Sequence, residues 1–344
     1  MDLQSSGFVF LGIFIIAKSG FASSLIFYDA MLTDVTNDER MDEVSSQGYA
    51  WGYIGSCIPF IACLALVLGS DKIGLSMESA MAVSFAIVSV WWVTMTLPLL
   101  KTYRQRHYVE RKPHAVKDSF TRIGRTLVNA RKEKKIFLFL IAFFFYIDGV
   151  YTIIDMATAY GSALGLDSTG LLLALLVTQL VAFPSAIIFG KLAKRFNTEK
   201  LILVCISAYL FIAIFAIFLA TQLQFWILAV LVGMFQGGVQ ALSRSYFAKI
   251  IPAEQAGEYF GLMDICGKGA AFLGTTVVGV VTQITGSMSK GVGMISVFFV
   301  VGIVFFNMAM KADSAGRVHA KKKTHNEELV EDMGGSYKYP IDIV

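Results

Sequence analysis

The stretch "IFLFLIAFFFYIDGVYTIID", Ile136–Asp155, decides the fold. Its length of about 20 residues, at a rise of about 1.5 Å each, spans the roughly 30 Å hydrocarbon core of a bilayer. It is predominantly apolar, and it lacks the polar–apolar alternation of a lipid-facing barrel strand. A helix therefore satisfies its backbone in lipid. Two aspartates interrupt it, Asp148 and Asp155, seven residues apart and so on roughly one face. A carboxylate is costly in an apolar medium unless it is paired or gives up its charge.

Working outward, the whole chain has the same character. It has 344 residues, 56% hydrophobic and 16% charged, with a formal net charge of +4. Soluble domains carry about 25% charged residues, so this chain could not cover its own surface in water. Nine apolar runs are long enough to cross a membrane: 8–33, 46–70, 77–100, 136–160, 168–193, 199–221, 224–250, 257–285 and 289–311. The fold class is all-α integral membrane, three spans and then six. Cys57, Cys63, Cys205 and Cys266 all lie in apolar runs without a CxxC pair and read as core residues. His107, His114, His319 and His325 fall in polar, basic stretches and match no metal spacing.

Charge sets the expected orientation. Segment 101–135 holds twelve Lys and Arg, from Lys101 through Arg111, Lys112 and Lys117 to Lys135, which predicts a cytoplasmic location. Alternation from there puts "KLAKRF" (191–196), "SRSYFAK" (243–249) and "HAKKK" (319–323) inside as well. Met1 would then lie outside. Within the basic segment Val116, Phe120, Ile123, Leu127 and Ala130 follow a 4-3-4-3 spacing, the pattern of an amphipathic helix on the inner leaflet. The chain thus divides into 1–100, a three-span N-terminal part; 101–135, a basic cytoplasmic loop; 136–311, a six-helix half; and 312–344, a polar tail expected to be disordered.

Charges at membrane depth are the candidate functional residues. Asp148 is about 20 Å beyond Lys135, and Asp155 about 30 Å, near the outer interface. Lys18 and Lys268 each lie about 15 Å into their spans. Asp264 precedes Lys268 by four residues, in the favourable order for a helical ion pair. Lys18 and Asp148 are expected to face each other across a water-filled cavity, as the coupling-ion and solute anchors. Gln236 and Gln240 are candidates for hydrogen bonds to a solute. Arg244 and Asp29 lie near cytoplasmic helix ends and read as able to reach water. The glycine pairs Gly48/Gly52, Gly233/Gly237 and Gly257/Gly261 read as helix-packing sites. Pro59, Pro98 and Pro184 fall within or at the ends of spans. The run Gly261–Lys268 lacks the spacing and the Ser/Thr of a P-loop, and no catalytic constellation appears, so an enzyme is not expected.

Several long motifs are familiar: "IFYDAMLTDVTNDERMDEVSSQGYAWGYIGS" (26–56), "YIDGVYTIID" (146–155), "LVTQLVAFPSAIIFGKLAKRF" (176–196) and "GGVQALSRSYFAKIIPAEQAGEYFGLMDICGKGAAFLG" (237–274). They resemble the bacterial relatives of the autophagy-related vacuolar amino-acid effluxers, a branch of the major facilitator superfamily. The resemblance implies two six-helix halves, so this chain looks like the family with its first three helices absent. It implies that the first, fourth and seventh spans, carrying Lys18, Asp148 and Gln236/Gln240, line a cavity. It also implies a cytoplasmic gate loop at "GKLAKRFNTEK", with Gly190, Lys194 and Arg195; Lys194 stands where that motif has an acid, which puts the usual gate contact in doubt. The expected activity is secondary transport of a small polar solute, with amino acids as candidates and protons as the candidate coupling ion. The alternative is a truncated, non-transporting membrane protein. No cofactor, metal or nucleic acid is expected, the protein should be a monomer, and its location should be a bacterial cytoplasmic membrane with the C-terminus inside.

Overall fold

The computed structural model describes residues 3–107 and 115–334, with side chains for 8–107, 121–269 and 271–312. Among the described residues the protein is helical without strands. Nine helices there are long and apolar enough to cross a membrane. The three-span part comprises α1 (Leu3–Ala30), the short α2 (Leu32–Val35), α3 (Met41–Gly69) and α4 (Met77–Thr102). Helix α5 (Ala115–Lys132) lies in the basic segment. The six-span part is α6 (Lys134–Ala163), α7 (Ser168–Leu192), α8 (Thr198–Ile217), α9 (Gln222–Ile250), α10 (Ala256–Thr285) and α11 (Met288–Gly334).

Polar residues account for where the helices start. Helix α3 begins at Met41, five residues before its apolar run, because Asp42, Ser45 and Ser46 are buried against other helices rather than left in solvent. Thr221 and Gln224 form a reciprocal capping box at the start of α9. Ser76 and Asp167 cap α4 and α7. Pro59, Pro98 and Pro184 lie inside α3, α4 and α7, each of which remains one helix.

In the six-span part, α6 packs on α10 and α11, α11 on α8, α8 on α9, and α9 on α7. The centre is aromatic: Phe139 stacks on Phe247 at 5.4 Å, and Phe306 packs against Phe139, Tyr146 and Tyr246. Helices α7 and α9 approach closely because Gly233 and Gly237 carry no side chain. A Cβ on Gly233 would meet the Thr178 carbonyl at 2.6 Å, and one on Gly237 would meet the Ala186 Cβ at 2.8 Å. The Gly257/Gly261 pair differs: among the described residues nothing lies within 4 Å of where a Cβ on either would stand, so no close helix approach is seen there.

The three-span part attaches at two places. Helix α3 packs on α7 and α9, and α1 packs on α10. Helix α4 packs on α3 and leaves Phe85, Val90, Trp92 and Leu100 exposed. The segment after α4 folds back onto α2. Asp34 accepts hydrogen bonds from the Tyr103 hydroxyl and from the backbone N–H groups of Arg106 (3.2 Å) and His107 (2.8 Å). Burial and that carboxylate push the Tyr103 phenol up to about 12.

Helix α5 is clasped to α10 by its polar side: Arg122 and Thr126 both donate to Glu258. Ala130 is buried, while Ile123 and Leu127 stay exposed. Arg111, Lys112 and His114 lie outside the described residues, and Val116, Lys117 and Phe120 outside the described side chains, so the full amphipathic stripe is not seen. The tail is expected to be disordered from residue 312, yet α11 continues as helix to Gly334. Its composition, with several Ala, Lys and Glu, favours helix even without a packed face. The side chains of His319, His325 and the "HAKKK" run, and residues 335–344 altogether, are outside the description.

Candidate functional site

The polar residues collect where the three-span part meets the six-span part. Asp42 of α3 is their hub. Its carboxylate accepts from Thr198 Oγ1 (2.7 Å), Ser245 Oγ (2.6 Å) and Lys249 Nζ (2.5 Å), which joins α3 to the start of α8 and the end of α9. Beside it Glu43 pairs with Lys194 at 3.0 Å. Gly190 of α7 lets α3 approach, since a Cβ there would meet Ser46 Cβ at 2.7 Å. The predicted gate loop therefore does make a charge contact. Lys194 supplies the base where an acid was expected, and Glu43 supplies the acid. Arg195 is exposed and takes no part beyond its backbone.

One turn deeper lies Arg244 of α9, which is buried. Its Nη1 donates to Asp29 of α1 (3.1 Å), Nε to Ser45 Oγ (3.0 Å) and Nη2 to the Ser45 carbonyl (3.0 Å). The guanidinium also lies 4.6 Å from the Tyr49 ring centre and 5.4 Å from that of Tyr28. Gly48 leaves room for it, with Arg244 Nη2 only 3.1 Å from where a Cβ would stand. Arg244 and Asp29 were expected to reach water. Arg244 is instead buried at the centre of the joint, where α1, α3 and α9 converge, while the Asp29 side chain stays about a third exposed. Asp264 and Lys268 pair at 2.5 Å on α10, and Lys268 also donates to the Ala22 carbonyl of α1 at 3.3 Å.

Above the joint, α9 presents Gln240 and Gln236 toward α3. Tyr53 donates to Gln240 Oε1 at 2.8 Å. Gln236 is buried, and its Oε1 has no partner. Gln236 is among the residues that line a small cavity between α6, α7 and α9.

Asp148 and Lys18 do not meet. Asp148 is fully buried within the six-span part, where its Oδ1 accepts from Gly274 N (3.1 Å) and Thr152 Oγ1 (3.2 Å) while Oδ2 has no partner. Gly274 has no side chain, so α10 comes close enough for its backbone N–H to reach the carboxylate. Lys18 is exposed on α1, with its ammonium 5.8 Å from the Phe21 ring centre. The expected cavity between Lys18 and Asp148 is thus absent among the described residues: equal depth along two helices says nothing about which faces turn together. Of the predicted set, Asp264, Lys268, Gln236 and Gln240 gather at the joint, and Asp148 and Lys18 stand apart.

Asp42, Glu43, Ser45 and Arg244 are the residues that sequence reasoning passed over. Two signals were available. "DEVSSQ" (42–47) puts polar residues three and four apart immediately ahead of an apolar helix, and "SRS" (243–245) sits inside a membrane helix.

A family model described as vacuole effluxer Atg22 like matches residues 29–320. The uncharacterized MFS-type transporter YxiO of Bacillus subtilis (strain 168) is 47% identical over 291 residues, covering 84% of this chain and 68% of its own length. Autophagy-related protein 22 of Coccidioides immitis (strain RS) is 24% identical over 319 residues, 85% of this chain and 52% of its own. The chain spans about half the length of that fungal relative. A crystal structure of a variant of the E. coli fucose:proton symporter FucP matches with a TM-score of 0.58 at 16% identity, covering 82% of this chain and 72% of that one. At that identity it speaks for the fold alone, an all-α multi-pass membrane fold of the major facilitator type.

Proposed function

We propose a function from one premise: this chain belongs to the Atg22-like effluxer family. Its function is secondary transport, the movement of a small polar solute across a bacterial cytoplasmic membrane by rocking of two helical groups about a midplane site. The C-terminus is cytoplasmic, in line with the basic segment 101–135, and the protein acts as a monomer. The observation that supports this reading most is the joint between the two parts. At one end its contacts are ionic and hydrogen-bonded, Asp42 with Lys249, Glu43 with Lys194 and Asp29 with Arg244, while farther along α3 packs Ala50 and Tyr53 on Ala182 and Ala186 of α7. The ionic contacts can be exchanged for water when helix ends separate, whereas interlocked apolar side chains cannot.

Gln236, Gln240, Asp264 and Lys268 are the solute-contacting residues. An acid and a base side by side suit a zwitterion, so an amino acid is the leading solute. Asp148, with one oxygen unpartnered, is the site where a coupling proton would reside, and Lys18, exposed on α1, lies outside the pathway. Protein reconstituted in proteoliposomes should take up labelled amino acids under an imposed proton gradient. Spin labels at Glu43→Cys and Lys194→Cys should report a second, longer distance when solute is added. A single distance under all conditions, with no uptake, would sink the transport reading. That outcome in a stably expressed protein would select the alternative, a non-transporting membrane scaffold, for which the exposed apolar side chains of α4 are the supporting observation.

A further inference from the structure

One side of α5 is engaged by the rest of the protein and the other is not. At about 100° per residue, Arg122, Thr126 and Ala130 share a side. Arg122 and Thr126 donate to Glu258, and Ala130 is buried. The next strip round the helix is Ile123 and Leu127, 41% and 54% exposed. Beyond it lie Arg131, Lys132 and Arg125, all exposed, with Val128 among them. Among the described residues these three cations have no acidic partner. Residues 121–135 hold six basic side chains and one acid, Glu133.

The engaged side also fixes the level of the helix. Glu258 lies in the first turn of α10, and only Glu133 separates α5 from the start of α6. Both α6 and α10 are membrane-crossing helices, so α5 is held where they enter the bilayer. At that level an exposed apolar strip beside unpaired cations matches the boundary between acyl chains and headgroups. A phosphatidylcholine headgroup brings its own ammonium and leaves the three cations uncompensated, whereas a headgroup of net negative charge compensates them. A soluble acidic protein or a nucleic acid would engage the cations and leave Ile123 and Leu127 in water.

We propose that this side of α5 is a docking surface for anionic phospholipid. Ile123 and Leu127 enter the acyl-chain boundary of the leaflet beside them, and Arg125, Arg131 and Lys132 bind the headgroup phosphates. Arg122 and Thr126 on the same helix hold Glu258, so lipid docked on α5 also steadies the start of α10. This docking does not depend on whether the protein transports a solute.

The test uses the full chain in nanodiscs of phosphatidylcholine, with and without phosphatidylglycerol. A spin label is placed at Leu127→Cys or, on the opposite side of the helix, at Asn129→Cys. Cys63 and Cys266 are replaced by serine, while Cys57 and Cys205 are buried and stay. With phosphatidylglycerol present, the label at 127 should collide with oxygen and be shielded from a water-soluble nickel chelate, and the label at 129 should do the reverse. In a second measurement, fluorescent phosphatidylglycerol is titrated onto the detergent-solubilised chain. Replacing Arg125, Arg131 and Lys132 together by glutamine should weaken its binding by roughly fivefold per charge. Added salt should weaken it as well. Thermal unfolding identifies a variant that has failed to fold, and Arg125→Gln alone, with its roughly fivefold loss, then carries the test. A label at 127 that stays in water in both membranes overturns the proposal. So does equal affinity for phosphatidylcholine and phosphatidylglycerol, or binding unchanged by the glutamine variants. An acidic peptide or an oligonucleotide that binds α5 while the label at 127 remains in water would assign the surface to a soluble partner, and would equally overturn it.

Discussion

The six-span part and the three-span part have almost the same hydropathy and very different interiors. Helix α6 buries Phe139, Phe143, Tyr146, Val150 and Ile153 on successive turns. Helix α1, equally apolar, leaves Phe8 75% exposed and Ile16 74% exposed. In water that contrast would mark α1 as unstable. In lipid it does not, because the acyl chains are as apolar as leucine and what holds helices together is close packing and polar contact. The six-span part is held by interlocked aromatics and glycine contacts. The three-span part is held to it by charged and hydroxyl groups on α1 and α3 at one end and by a small apolar seam of α3 on α7, Ala50 and Tyr53 against Ala182 and Ala186, farther along.

Substitutions sharpen this contrast in order of size. Phe306→Ala, in the aromatic centre, should lower stability by about 4 kcal/mol, measured by unfolding in mixed micelles. Trp92→Ala on α4 should change it by less than about 0.5 kcal/mol. Equal effects from the two would break the comparison. Next, Asp42→Ala strands Lys249 beside a buried joint and should cost about 3 kcal/mol. The same assay should find that Glu43→Ala, which breaks a more exposed pair, costs about 0.5 kcal/mol. Tyr53→Phe removes one hydrogen bond to Gln240 and should cost about 1 kcal/mol, with altered uptake as a second readout. Arg122→Ala frees one edge of α5 and should cost at most about 1 kcal/mol, while protease cleavage near residue 121 should rise several-fold.

The last effect is one of pH. Tyr103 is held protonated by burial and by Asp34, with its phenol pushed up to about 12. A raised value means that its contribution is complete below the ordinary tyrosine range, near 10, and is lost as pH climbs to about 12. Wild type and Tyr103→Phe should therefore differ in stability by a constant amount up to about pH 10 and converge above it. A difference that already shrinks between pH 6 and 9 would point to another group.

The helices were legible because a membrane span has a one-dimensional signature: enough apolar residues in a row, with basic residues at one end. All nine runs coincide with spans in the structure. The ion pair Asp264–Lys268 was legible for the same reason, since four residues along a helix fix a distance. Asp148 was legible as an anomaly, but not its surroundings. Its partners are Thr152, one turn away, and the backbone N–H of Gly274, 126 residues later. A glycine N–H leaves no trace in composition.

By itself, the amino-acid sequence determined that this is an all-α membrane protein of nine spans, where its basic loop falls and which family it resembles, because those properties sum along the chain. Only the tertiary structure decided which charges meet. Lys18 stays exposed on α1 and does not meet Asp148, and Arg244, which read as peripheral, became with Asp42 the joint between the two parts. The reason is rotational: depth along a helix follows from counting residues, but the direction a side chain faces is set by the packing of its neighbours.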